Sequence, residues 1–447
     1  MMDFLAVRRG ALIGTLVFAF VVVHLTATLV LPRTDGRLLR GDSRRYFVYL
    51  PSLILDHDLD FSNDLLLLQG MDPTAVDLSS VERTSTGLLG NVAPVGCALF
   101  WAPFFLLGLA LQGVAAVFGW ASAGDGYGYL PQASVLVAGI VYAGTAAWVT
   151  ARILDRWFPR AVGTASSITV WLGGSALYYT AVSPAYSHTT AWFAIAVALY
   201  LWLEAREAGR PSAYLRWGLS GLFFGLAVTV RQQDAVFLIA PAIDLAWPAG
   251  GATSRSFADR CKAAAALGVG ALLGFLPQAL VWRTLYGSYL VSPMGPMDVA
   301  WTLPDVIPTL LGLGFFGLFT WTPVAALGTV GAFVFARRYP RVGAGLLLAV
   351  LLAIYYQSAV YDLHLGTSFG ARRFISANVV FAIGLAVLWE AVSTRRRTLP
   401  FVFAAALIAW NGMLLIGYEL LVHVHGFHPP LGSIVRWLFT GYDQPPF

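Results

Sequence analysis

The chain has 447 residues, 58% of them hydrophobic and only 11% charged, with a mean hydropathy of +0.71. Soluble domains carry roughly 25% charged residues, so the composition excludes a string of soluble domains and points to a polytopic membrane protein. The net charge of +5 comes from 28 basic residues, all arginine except Lys262, against 23 acidic ones; the basic residues cluster between apolar runs, a pattern that reports topology rather than nucleic-acid binding.

Apolar runs of about 20 residues recur, each long enough to cross a hydrocarbon core of ~30 Å. They lack period-2 alternation, which excludes a transmembrane barrel. The first, 10–31, follows Arg8 and Arg9. It is longer than a signal-peptide core of roughly 7–15 residues and no small-x-small cleavage site follows, so it is expected to be retained. The segment 32–129 comes next and holds ten of the 23 acidic residues. Among them are Asp42, in Gly41-Asp42-Ser43-Arg44-Arg45-Tyr46, and the run Asp56-His57-Asp58-Leu59-Asp60. Carboxylates gathered in one loop beside the membrane suggest a polar site.

The later apolar runs are 130–151, 161–182, 189–205, 217–230, 234–250, 263–285, 316–336, 342–360, 374–392 and 399–421. Six basic clusters fix their direction: Arg8/Arg9, Arg152/Arg156/Arg160, Arg206/Arg210/Arg216, Arg255/Arg260/Lys262, Arg337/Arg338/Arg341 and Arg395/Arg396/Arg397. All read as cytoplasmic, which gives about 11 crossings, a cytoplasmic N-terminus and an external C-terminal tail. Residues 93–119 are also long enough to cross. A crossing there would place the Arg152–Arg160 cluster outside, so this segment is predicted to lie along or dip into the outer leaflet, with Pro94, Gly96 and Pro103 breaking a straight helix. The alternative is a 12-span chain with a weaker charge bias. Cys97 and Cys261 fall on opposite sides in this topology, so no disulfide joins them.

The polar break Arg231-Gln232-Gln233-Asp234 separates two short spans. A charge at membrane depth costs ~2.5–3.5 kcal/mol, so Arg231 is expected to face a cavity or a partner; an external turn closed by an Arg–Asp pair is the alternative. Arg372 and Arg373 fall outside, against the positive-inside tendency, and need a local reason.

The order and sidedness of these segments resemble the GT-C superfamily of integral membrane glycosyltransferases, in the branch of protein O-mannosyltransferases and lipid A aminoarabinose transferases. In that family an acidic motif, often Asp-Glu, follows the first span in a large external loop with membrane-apposed helices. Asp42 stands in the matching position, with Ser43 where the family commonly has Glu. Asn91-Val92-Ala93-Pro94-Val95-Gly96, running on to Phe118-Gly119, is similar to the Pro-rich juxtamembrane helix of that loop. Tyr178 to His188 resembles the outer end of the third helix, Gly225-Leu226-Ala227-Val228-Thr229-Val230-Arg231 a Gly-Leu-Ala…Arg segment, and Ser368-Phe369-Gly370-Ala371-Arg372-Arg373-Phe374 an external motif of bacterial members. The likeness covers roughly residues 1–390.

The resemblance implies an all-α bundle in residues 1–392, with 393–447 adding a last span and a short tail. It implies sugar transfer from a polyprenyl-phosphate donor to a hydroxyl acceptor on the extracytoplasmic face, in a bacterial cytoplasmic (inner) membrane. Such chemistry needs a base for the acceptor hydroxyl and positive charge for the departing lipid phosphate. Asp42 is the candidate base, with helix N-capping as its structural alternative. Arg231, Arg372 and Arg373 are candidates for the phosphate, since the guanidinium fork suits phosphate oxygens; headgroup anchoring is the alternative for the Arg372–Arg373 pair. His188 and Tyr46 are candidate contacts to acceptor or donor. Asp56 and Asp58 form an Asp-x-Asp pair that suits a divalent cation, Mg or Mn, or else an ordinary solvated turn.

The acceptor is a protein, lipid or glycan, membrane lipids surround the chain, and no nucleic acid is expected. No P-loop, dinucleotide fingerprint or nucleophile elbow occurs. A lipid or polysaccharide transporter is the rival reading; it predicts pseudosymmetric halves, and the sequence shows none. A non-catalytic scaffold would leave Asp42 without a purpose.

Overall fold

The computed structural model describes residues 8–30, 38–39, 41–71, 83–121, 124, 126–207, 209, 212–247, 256–293, 301–302, 304–313, 317–360, 368–393, 396, 398–425 and 429–441. Among them the regular structure is helical, with an isolated bridge between Arg83 and Leu89 and a bridge residue at Val360. The helices are α1 (Arg9–Val30), α2 (Asp42–Phe47), α3 (Ser62–Met71), α4 (Gly96–Val117), α5 (Tyr129–Leu154), α6 (Arg160–Leu172), α7 (Ser187–Glu207) and α8 (Ser212–Val230). They continue with α9 (Ile239–Ala246), α10 (Phe257–Tyr286), α11 (Pro323–Arg338), α12 (Pro340–Ala359), α13 (Asn378–Ser393), α14 (Leu399–His425) and α15 (Leu431–Thr440).

The protein is an all-α polytopic membrane protein. Among the described residues eight helices are long and apolar enough to cross a bilayer: α1, α4, α5, α8, α10, α12, α13 with its preceding turn from Arg372, and α14. Seven of these coincide with predicted spans, and the eighth is α4. The other four predicted spans fall short of that length or apolar character, and three of them are broken. One is α7; another breaks into α6 and short turns to Ala181; a third is the 3₁₀ turn Gln232–Leu238 followed by α9; the last is Leu318–Trp321 followed by α11.

The described basic clusters converge on one end of the bundle. Arg9 at the start of α1 pairs with Asp155 at the end of α5, at 2.6 Å. Arg156 pairs with Glu204 and Glu207 of α7. Buried Asp244 of α9 accepts from Arg206 (2.8 Å), Arg341 (2.6 Å) and Trp202 (3.1 Å). Arg338 pairs with Glu390 at 2.6 Å. Arg210, Arg255, Arg395 and Arg397 lie outside the described residues.

α4 starts beside the opposite end, where α8 finishes. Its first residue, Gly96, packs against the backbone of Thr229 and Val230 at the end of α8, and the Val95 amide donates to Gln278 at 2.9 Å. The helix then runs antiparallel to α5. The Tyr142 hydroxyl donates to Phe100 O at 2.5 Å, Gly108 lies against Pro131, and Gln112 lies beside Gly128. Length and composition would let α4 cross, and its contacts along α5 run from Phe100 beside Tyr142 to Gln112 beside Gly128.

Small residues let the helices close. Gly221 and Gly225 of α8 meet the backbone of α10, Gly270 and Gly274 of α10 meet that of α8, and Gly328 and Gly331 of α11 interlock with Gly384 of α13. Water-driven burial is absent between helices in lipid, so such close backbone approach is what holds them. Apolar side chains facing outward, such as Leu272, Leu273 and Leu276 on α10 and Val402, Phe403 and Ile416 on α14, suit a hydrocarbon surround.

The first loop carries a core of its own. Leu39, Phe47, Tyr49, Phe61, Leu65, Trp101, Phe105 and Tyr127 form a cluster that reaches Val281 and Leu285 of α10. Trp101 Nε1 donates to Thr190 Oγ1 of α7 at 3.0 Å and so fastens this module to the bundle. The candidate site lies where the two cores meet.

Candidate functional site

Asp42, Tyr46, His188, Arg231, Arg372 and Arg373 all line one cavity of about 490 Å³. They come from α2, the start of α7, the end of α8 and the turn before α13, so only the fold brings them together.

Asp42 is the first residue of α2, behind Gly41 at φ +50. A side chain at Gly41 would be strained in that conformation, and its Cβ would sit 2.6 Å from the Tyr186 hydroxyl. The N-cap position of this helix is Gly41, so Asp42 stands one residue inside it rather than at the cap. It is half exposed, with Arg372 Nη2 3.4 Å from Oδ2. The Arg372 side chain is itself largely buried, its guanidinium 5.6 Å from the centre of the Tyr186 ring. α2 is held from below: Phe47 packs edge-on against Phe105 and Tyr127, both at 5.6 Å between ring centres.

Tyr46 packs edge-on against Trp101 and donates to Ser187 Oγ at 3.3 Å. Burial pushes its phenol up to about 12, so it stays a proton donor. His188 is buried between Tyr179, 4.5 Å between ring centres, and Tyr186, to which it lies nearly parallel at 6.2 Å. Its Nδ1 has no hydrogen-bond partner.

Arg231 does not form the Arg–Asp pair of an ordinary turn. Nη1 donates to Ser187 Oγ at 3.1 Å, Nη2 donates to Gln233 Oε1 at 3.0 Å, and the buried Nε has no partner. Asp234 instead accepts from Ser376 Oγ at 2.7 Å. Arg373 Nη1 donates to Gln357 Oε1 at 3.2 Å. With Arg45 also on the wall, four guanidinium groups face one carboxylate, a charge balance that draws anions in. Val92, Pro94, Val230 and Val360 make the apolar part of the lining.

Asp56 and Asp58 lie elsewhere in the loop, at and just past a π-helical turn that ends in left-handed His57. Their oxygens accept local bonds: Asp56 from Asn63 at 2.8 Å, Asp58 from Ser52 at 3.2 Å and from the Asp60 amide at 3.0 Å. Among the described residues no group of three or more His, Cys, Asp or Glu is placed to hold a metal ion. Cys97 is buried and Cys261 exposed, both as free thiols.

No family model and no curated protein matches the chain. Among solved structures it is similar to the Archaeoglobus fulgidus oligosaccharyltransferase in complex with Zn and sulfate, at 13% identity and a TM-score of 0.49, over 96% of this chain and 57% of that one. It is similar to the same degree, 13% and 0.49, to archaeal oligosaccharyltransferase AglB from Archaeoglobus fulgidus in complex with an inhibitory peptide and a dolichol-phosphate, over 99% of this chain and 61% of that one. The chain thus spans about three fifths of the length of these two structures.

Sequence reasoning missed Gln233 and Gln357 on the cavity wall, and Ser187 and Tyr186 behind it, where they hold Arg231 and Arg372. Gln233 carried a signal, since it lies in the polar break beside Arg231. Gln357 was visible only as a lone amide late in the 342–360 span.

Proposed function

We propose that this protein is a membrane glycosyltransferase that moves a sugar from a polyprenyl-phosphate carrier to a hydroxyl acceptor. The carrying observation is the meeting of Asp42 with Arg231, Arg372 and Arg373 on one cavity, from separate segments of the chain. Asp42 is half exposed and accepts the acceptor hydroxyl's proton as that oxygen attacks the anomeric carbon. The carbon–oxygen bond to the lipid phosphate breaks, and the electron pair stays on the phosphate. The three arginines stabilise the charge that develops there. His188 and Tyr46 contact the sugar or the acceptor, and the valine and proline side of the cavity takes the apolar part of the carrier.

In this reading the basic end of the bundle faces the cytoplasm and the cavity opens on the extracytoplasmic side of a bacterial inner membrane. The acceptor is a protein, lipid or glycan hydroxyl. Mg or Mn at Asp56 and Asp58 would bind away from the cavity and displace bonds those carboxylates now accept. Titration calorimetry tests that point, since such a site gives heat with Mn that Asp56→Ala abolishes.

The assay of the function itself supplies purified protein in nanodiscs with a radiolabelled polyprenyl-phosphate hexose and follows transfer or release of the label. Turnover by wild type is the expected result. Absence of any binding of lipid-linked sugar would overturn the donor assignment and favour a transporter.

A further inference from the structure

Gln233 stands at the centre of the positive wall. Its Oε1 accepts from Arg231 Nη2 at 3.0 Å and from Gln357 Nε2 at 2.9 Å, and its own Nε2 donates to the main-chain oxygen of Arg373 at 2.7 Å. Gln357 Oε1 in turn accepts from Arg373 Nη1 at 3.2 Å. Two amides therefore link two guanidinium groups carried by distant parts of the chain; each amide oxygen and nitrogen is engaged, with one N–H of each amide and one lone pair of Gln357 Oε1 left over.

The chemical type of these residues matters. An arginine facing a ligand phosphate has to be held in place without losing its charge. A carboxylate would hold it through a stronger, charge-assisted bond, but would cancel the charge a phosphate needs. Both side chains that receive Arg231, Ser187 and Gln233, are neutral, and the neighbouring acid Asp234 is turned to Ser376.

We propose that Gln233, backed by Gln357, is a positioning residue that holds Arg231 and Arg373 toward a phosphate while leaving the charge of Arg231 uncancelled. This rests on the donor-phosphate reading above.

The test measures binding of polyprenyl phosphate and of the matching polyprenol, which lacks the phosphate, to the full chain in nanodiscs. Wild type should prefer the phosphate. Gln233→Glu changes one atom of the side chain and supplies a charge; it should lower that preference about tenfold or more, the scale of one charged hydrogen bond, with polyprenol affinity kept. Gln357→Glu should act in the same direction and carries the test if Gln233→Glu does not fold. Equal weakening of both lipids, the mark of a general structural disturbance, overturns the inference, as does an undiminished phosphate preference in both variants. No phosphate preference in wild type instead overturns the donor reading on which the inference stands.

Discussion

Asp64→Asn should stabilise the loop module at neutral and alkaline pH and remove a pH dependence from it. Asp64 of α3 is 1% exposed; Oδ1 accepts from the Tyr127 hydroxyl at 2.7 Å, and Oδ2 has no partner. Burial pushes its carboxyl from 3.8 up to about 6; the bond from Tyr127 opposes the rise, and Asp56, Asp58 and Asp60 add to it. The folded chain therefore holds this proton more tightly than the unfolded chain. Stability is greatest below the unfolded pKa, falls as pH rises through the interval to about 6, and stays low above it. The full rise would be worth roughly 3 kcal/mol; relaxation of the surrounding loop about the ionised carboxylate reduces this to about 1–2 kcal/mol.

An asparagine copies the neutral acid: its carbonyl accepts from Tyr127, and its amide takes the place of the protonated oxygen. Thermal unfolding in detergent at pH 5 and pH 8, followed by tryptophan fluorescence, should show the Asp64→Asn protein ahead of wild type at pH 8 by that amount. The gap should narrow as pH falls below 6. A variant less stable than wild type by the same margin at both pH values would refute the reasoning. The effect bears on the site, because Tyr127 packs on Phe47 of the helix that starts at Asp42.

Arg231→Ala should lower kcat/KM for the donor about tenfold to a hundredfold, the worth of one or two charged hydrogen bonds, with kcat falling as well because the guanidinium meets charge that develops during transfer; steady-state kinetics against donor concentration check it. Gly41→Ala should cost about 1 kcal/mol or more, from a left-handed backbone and contact with Tyr186, and should lower turnover by shifting Asp42; melting and activity measured side by side report both. Gly270→Leu should wedge α10 from α8, where a Cβ would already meet the Gly218 carbonyl, and should abolish the monodisperse peak in size-exclusion chromatography.

Much of the bundle was legible from two simple signals. Apolar runs marked the spans, and arginine clusters marked which ends belong together, because lone charges are expensive away from the interface. Arg9 with Asp155, and Asp244 with Arg206 and Arg341, are that rule seen in contact. The candidate site was legible as charged residues that hydropathy does not explain, Asp42, Arg231, Arg372 and Arg373, joined by His188 and Tyr46 through the family resemblance. Other neutral members escaped, since Gln357 and Ser187 cost little in an apolar run and no spacing rule singles them out. Gly41 could not be read as a φ-positive hinge against Tyr186, because that contact spans two distant segments. The glycines of α8, α10, α11 and α13 were visible, but which of them face each other is decided by helix rotation.

In this mechanism Asp42 does chemistry beside a phosphate held by arginines. The most direct measurement compares wild type with Asp42→Asn in nanodiscs, scoring donor binding and sugar transfer separately. The account predicts binding within about twofold of wild type and transfer lowered about a hundredfold to ten-thousandfold, the usual contribution of a general base. Full transfer by the Asp42→Asn protein would contradict it.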